Sequence, residues 1–352
     1  MDQLLTEAYE RLHRHGPEFG GDEEGNHGLT NHGPMAAEVM VRRGLDIDLH
    51  RWLDGYVPRL TELPAPGDRI AESSWPDALG DGRRIADWTE FFARRLAEQP
   101  WREVLVTWWP RLLPGIVAGS THGVIRVGHA VRALTAGEQG PAVVTELGHG
   151  LAFWAARARV LPGFTVPAGD RSPAQALRAV PRLADQSGLI AHRVGRLADL
   201  PGWPAALAAL RAPATPADVP TLLDDLVETA TLHYRTHGHG SPVLLVHTAT
   251  APNAVRHTLP VLPESMWVAS LAAAWAASAA VTATYSPADP VDPPPEVTPA
   301  ADAAALLARS AWHGDEHVIK FTDTAVEVFD RTGNPDALAA AVRAGELISR
   351  QQ

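Results

Sequence analysis

Between Ser265 and Tyr285 the chain reads SMWVASLAAAWAASAAVTATY, 21 residues without a charged side chain. A run of that length is either a helix sunk in a protein interior or one that crosses a bilayer. Its Ala and Ser content makes it only weakly apolar, and neither flank carries the Lys or Arg cluster that would orient a span, so a central buried helix is expected. Helical spacing of apolar residues recurs at about 47–62, 83–98, 101–112, 122–133, 141–158, 173–184, 188–199, 203–211 and 217–236, bounded by Gly or Pro. Strand signals are nearly absent. These patterns predict an all-α, single-domain multi-helix bundle over residues 1–352, with a loop from Gly16 to Gly33 and a stiff Pro-rich crossover at about 286–300.

Composition narrows the chemistry. A formal charge of −11 with no basic run argues against nucleic acid as a partner. No cysteine is present, so disulfides, thiolate metal sites and a Cys nucleophile are excluded. The mixed-charge, amphipathic opening MDQLLTEAYERLHRHG does not read as a signal peptide, which makes the cytoplasm the expected compartment and a membrane an unexpected partner.

The nitrogen-bearing side chains are distributed unusually. There are 16 histidines, and Lys320 is the single lysine among 30 Lys and Arg. Unlike arginine, a buried lysine can lose its proton and act as a nucleophile, a base, or an amine that takes up CO2 as a carbamate. Lys320 lies in Trp312-His313-Gly314-Asp315-Glu316-His317-Val318-Ile319-Lys320, read as the opening of a helix ending near Gly333. On a continuous helix seven residues turn by about 700°, so His313, His317 and Lys320 would share one face. His122 and His129 repeat the same spacing, behind Ser120-Thr121 as a candidate cap. His32 stands at a helix entrance and His247 at the end of an apolar run. Glu146 and His149 form one Glu-x-x-His pair, but the others, Glu10–His13 and Glu24–His27, lie in the polar N-terminal region, which disfavours a di-iron carboxylate site. His13, His15, His27, His50, His233, His237 and His239 read as surface residues. His32, His122, His129, His149, His192, His247, His257, His313 and His317 read as the internal set, suited without thiolates to Fe, Zn, Cu or Ni.

No dinucleotide fingerprint, P-loop or nucleophile elbow is present. The segments Asn31-His32-Gly33-Pro34-Met35, His122-Gly-Val-Ile-Arg-Val-Gly-His-Ala, the run from Glu146 to Ala155, Leu245-Val246-His247-Thr248-Ala249-Thr250 and His313-Gly-Asp-Glu-His-Val-Ile-Lys320 together resemble the questin oxidase-like family across nearly the whole chain. That resemblance implies oxidative ring opening of anthraquinone-like aromatic polyketides, by Baeyer-Villiger type oxygenation or non-haem iron dioxygenation. It also implies a metal, Fe(II) or another transition metal, held by His32, His122, His247, His313 and a carboxylated Lys320. His317 and His129 are then expected to orient the ligand imidazoles or the carbamate, so Lys320, His317 and His129 form the expected catalytic set. O2 and a polycyclic aromatic are the implied partners, while any need for NADPH and the oligomeric state are left open. Trp108, Trp109, Trp154, Trp267, Trp275 and Trp312 are candidates to wall a flat pocket, with most of them expected to be plain core residues. Two other readings remain at this stage: a metallohydrolase in which a carbamylated lysine bridges two metals, and a non-catalytic helical protein that binds aromatic ligands.

Overall fold

The computed structural model describes residues 2–16, 18–19, 29–137, 140–291 and 302–350. In chain order its helices are α1 (Asp2–His13), α2 (Gly33–Arg42), α3 (Leu49–Tyr56), α4 (Trp75–Ala78), α5 (Ile85–Glu98), α6 (Trp101–Leu112), α7 (His122–Thr135), α8 (Pro141–Arg157) and α9 (Pro173–Arg178). They continue as α10 (Ile190–Arg196), α11 (Trp203–Ala208), α12 (Val219–His237), α13 (Pro242–Leu245), α14 (His247–Thr258), α15 (Trp267–Tyr285), α16 (Ala303–His313), α17 (Glu316–Thr332) and α18 (Pro335–Leu347). The one sheet among the described residues is a pair of two-residue antiparallel strands, β1 (Glu18–Phe19) and β2 (Leu29–Thr30). The fold is therefore all-α, and one hydrophobic core runs through it from Leu5 on α1 to Ile319 on α17.

The uncharged segment is α15. It is buried from Ser270 to Tyr285 and packs against α12 and α14. Among the described residues it is the one helix long and apolar enough to cross a membrane, and 78% of its most apolar window is buried inside the protein. Local chemistry sets the other boundaries. Asp48, Asp302, Asp315 and Asn334 each accept a backbone N–H in the first turn of α3, α16, α17 and α18, satisfying donors that a helix start leaves unpaired. The helix expected at 173–184 stops at Arg178, three residues before Pro181, and the one expected at 203–211 stops at Ala208. Of the Pro-rich crossover, residues 292–301 lie outside the described set; before them, Val291 donates its N–H to the Thr236 carbonyl, pinning the start of the crossover to α12. Much of the expected Gly16–Gly33 loop is likewise undescribed.

Two expectations are corrected. The stretch from 313 is not one helical stripe: His313 closes α16, Gly314 adopts φ 85° in the left-handed region, and Asp315 caps a new helix. Only His317 and Lys320, three apart, keep the same-face relation on α17. Ser120 and Thr121 also do not cap α7 through their side chains. Gly119, Ser120 and Thr121 turn with φ of 58°, 55° and 65°, and no side-chain cap bond forms.

Helix α7 is the rail to which the rest is fitted. A Cβ on Gly123 would stand 2.5 Å from the Trp154 Cβ of α8, and one on Gly128 would stand 2.6 Å from the Ala254 Cβ of α14. Both distances are shorter than carbon atoms tolerate, so glycine is what lets the three backbones approach.

Candidate metal centre

Four helices direct their N-terminal ends at one buried point. His32 is the N-cap of α2, His122 and His247 are the first residues of α7 and α14, and His317 is the second residue of α17. His32 Nε2 lies 2.7 Å from His122 Nε2, which lies 3.0 Å from His247 Nε2. The His317 ring is 4.6 Å from that of His32 and 5.6 Å from that of His247, centroid to centroid. One nitrogen from each of His32, His122 and His317 falls within 4.8 Å of the others, a grouping able to hold a metal ion.

Tautomers sharpen this geometry. The Gly119 carbonyl lies 2.7 Å from His122 Nδ1 and the Leu244 carbonyl 3.1 Å from His247 Nδ1. A carbonyl only accepts, so both Nδ1 atoms carry the proton and donate it, leaving each Nε2 with a lone pair. Those two lone pairs face each other at 3.0 Å with no hydrogen to share. The contact is repulsive between neutral rings and becomes favourable when a cation lies between them. Two ligands at right angles on a metal with bonds of about 2.1 Å stand about 3.0 Å apart, so the spacing suits one ion. The strained turn before α7 is what aims the Gly119 carbonyl. Positive φ at a β-branched residue such as Thr121 is a genuine outlier and costs roughly 1–3 kcal/mol, a cost concentrated at a candidate site.

Lys320 sits one turn into α17, 1% exposed, with no hydrogen-bond partner for Nζ. Burial pulls its ammonium down from the ordinary 10.5 to about 8, against the attraction of Glu316 and Asp315. Burial also holds His32, His122 and His247 well below the usual imidazole range. The positive charge of Lys320 adds to the effect on all three, and neighbouring histidines contribute too. Neutral imidazoles beside an easily deprotonated amine are the protonation states that a metal requires. Asp315 Oδ1 caps α17 at the His317 N–H, 2.8 Å away, and stands 3.4 Å from His317 Nδ1.

The expected residues separate into groups. His32, His122 and His247 come together with His317, and Lys320 acts electrostatically on the first three. His313, beyond the Gly314 joint, gives its Nε2–H to the Ile348 carbonyl at 3.0 Å, and its buried Nδ1 has no partner. His129 faces Glu38 at 2.9 Å, two turns along α7 from His122. His13 was expected at the surface but binds Glu146 at 3.0 Å beside His149. Arg126, fully buried, holds both oxygens of that carboxylate at 2.8 and 2.7 Å, so Glu146 reads as an ion-pair partner and not as a free ligand. Burial pushes the Glu146 carboxyl up, but Arg126 and His13 outweigh it and hold the group below its ordinary value. His233 and His237 are partly buried and not fully exposed: their rings stack at 3.9 Å, and burial lowers His233 to about 3.

Sequence reasoning missed Trp52 and Tyr56. Their rings stack at 5.0 Å; Trp52 Nε1–H donates to the Gly314 carbonyl at 3.0 Å, and the Tyr56 hydroxyl accepts the His32 N–H at 2.7 Å. They tie the start of α2 to the joint before α17. Their i, i+4 spacing marked a helix face and nothing more. Of the tryptophans, Trp108, Trp109, Trp154 and Trp275 are buried core residues, as most were expected to be, while Trp312 is 69% exposed under Arg350.

No curated protein matched the chain. The matched family region contains His122, His129, Glu146 and His149 and ends before His247. Residues 55–188 match the family model described as Questin oxidase-like, a match that supports the family resemblance carried by the sequence motifs.

Proposed function

We propose that this protein is a non-haem iron, O2-dependent oxygenase that opens a ring of an anthraquinone-like aromatic polyketide. The family match supports an oxygenase-type function in general. The observation that carries the metal reading is the pair of proton-free Nε2 atoms of His122 and His247, 3.0 Å apart between two buried side chains. His32, His122, His247 and His317 would hold the ion, with Lys320 as the remaining donor. His317 takes the place that the resemblance gave to His313, whose Nε2 is engaged by Ile348.

Iron at this position would supply O2 binding and one-electron chemistry. The chain's own groups set the conditions for it. The Lys320 amine, neutral for a useful fraction of the time because of its burial, attacks CO2; a nitrogen–carbon bond forms, the nitrogen loses one proton, and a carbamate results. That group contributes an oxygen donor and a negative charge that four neutral imidazoles lack. The Gly119 and Leu244 carbonyls hold two rings in a single tautomer. The N-terminal ends of α2, α7, α14 and α17 add partial positive charge around the site, favouring the carbamate and a substrate phenolate over neutral groups.

Metal analysis of anaerobically purified protein, followed by oxygen-electrode traces with an anthraquinone-type substrate, tests the proposal. One iron-class metal per chain and substrate-dependent O2 uptake without added flavin are expected. Stoichiometric bound flavin, or zinc with hydrolysis and no O2 uptake, would refute it.

A further inference from the structure

Beyond the histidines, the same four helices meet a second time. Counting from each histidine, a polar side chain recurs six or seven residues on and again ten residues on: Glu38 and Arg42 after His32, His129 and Arg132 after His122, Asn253 and His257 after His247, Asp323 and Glu327 after His317. Ten residues of helix are about 15 Å, so this second layer lies well away from the first.

The second layer is a buried ion network with Arg132 at its centre. Arg132 Nε donates to Glu38 Oε1 at 3.0 Å and one terminal nitrogen makes a short contact to Glu38 Oε2. The other terminal nitrogen meets Asp323 Oδ2 at 2.8 Å and Glu327 Oε1 at 3.0 Å, and lies 3.4 Å from His257 Nε2. One guanidinium on α7 thus touches α2, α14 and α17 together. The network closes around it: His257 Nε2 lies 2.8 Å from Glu327, Asn253 donates to Glu327 at 2.9 Å, and Arg42 binds both oxygens of Asp323 at 2.6 and 2.7 Å. A cavity of about 10 Å3 beside it is large enough for one water.

We infer that Arg132 is a positioning residue for the histidine cluster, fixing the axial register of α2, α7, α14 and α17 against one another. The inference rests on the cluster being the metal centre proposed above. The glycine contacts set how closely the backbones approach, but dispersion is individually small and non-directional, so packing alone separates one register from the next less sharply than directed bonds do. A planar fork with carboxylates on two neighbouring helices has a single geometry, and sliding breaks several charged hydrogen bonds at once. Slippage of one helix by a single residue rise, about 1.5 Å, would move its imidazole by most of a metal–nitrogen bond of about 2 Å. The network therefore converts register into ligand geometry from a distance.

Titration of the metal-free protein with Co(II), followed by visible absorption, tests this. Arg132→Gln removes the fork, while Arg132→Lys keeps the charge that compensates the buried carboxylates but replaces the fork with a point donor. In variants with wild-type circular dichroism, Co(II) affinity should fall roughly tenfold to a hundredfold, as when groups that orient ligands are lost, and the absorption band should move. If Arg132→Gln does not fold, Arg132→Lys decides. A folded Arg132→Lys protein with a lower melting temperature but wild-type affinity and band would show a role confined to stability and overturn the inference. Wild-type protein that takes up no Co(II) at all would instead remove the metal reading, and this inference with it.

Discussion

Replacing Lys320 by methionine should make the metal-free protein more stable, by an amount that depends on pH. Methionine has nearly the length of lysine and no charge to bury. In the fold the Lys320 ammonium is lowered from 10.5 to about 8 by burial, with no hydrogen bond to Nζ. Because the folded value lies below the unfolded one, the unfolded chain binds the proton more readily, and stability from this group is lost as pH falls through the folded value. At pH 7 both states are protonated and the wild type carries the full penalty, roughly 3 kcal/mol at 1.36 kcal/mol per decade. At pH 9.5 the folded amine is already neutral and about 1.5 kcal/mol remains. Urea unfolding of wild type and Lys320→Met, in CO2-free buffer with chelator, should show the variant ahead by about 3 kcal/mol at pH 7 and by about half that at pH 9.5. Taking the difference between the proteins cancels the titrating groups that the Lys320 charge does not reach; His32, His122 and His247, which it does reach, are held below the usual imidazole range and stay neutral in the fold at both pH values. A variant equal to or weaker than wild type at pH 7, or a difference that does not shrink with pH, would refute a buried, unpaired amine.

Two shorter predictions concern the same centre. His122→Ala and His247→Ala should each lose most bound metal with helical content unchanged, whereas His313→Ala should keep it; metal analysis with circular dichroism checks all three, and full occupancy in the first two would remove them from the site. Thr121→Gly relieves a left-handed β-branched residue and should raise stability by about 1 kcal/mol in thermal melts, while freeing the Gly119 carbonyl and weakening Co(II) binding.

The helical class was legible because apolar spacing and caps are local. Asp315 and Gly333 bounded α17 as the sequence implied, and the uncharged run became α15. The alignment of His313, His317 and Lys320 failed because heptad arithmetic assumes an unbroken helix; Gly314 was visible, but whether a glycine is tolerated inside a helix or ends it depends on its C-terminal neighbours. Here Asp315 supplied a competing cap. His13 looked polar by its neighbours along the chain, and its burial comes from α8, 133 residues away. The Arg132 layer was written in plain view as an offset of ten on four helices, yet nothing local says that those helices run side by side. Trp52 and Tyr56 escaped for the same reason, since their partners, Gly314 and His32, are distant in sequence.

The glycine contacts along α7 have a consequence for motion. With backbone pressed against backbone at Gly123 and Gly128, α7 has no slack to give up, and its amides should be among the last to exchange with deuterated solvent. Gly314 is the opposite case: nothing lies within 4 Å of the place where its Cβ would be, and its carbonyl is latched by the partly buried Trp52. With the α7 contacts this tight and the space beside Gly314 open, amide exchange at residues 313–317 should run ahead of exchange along α7.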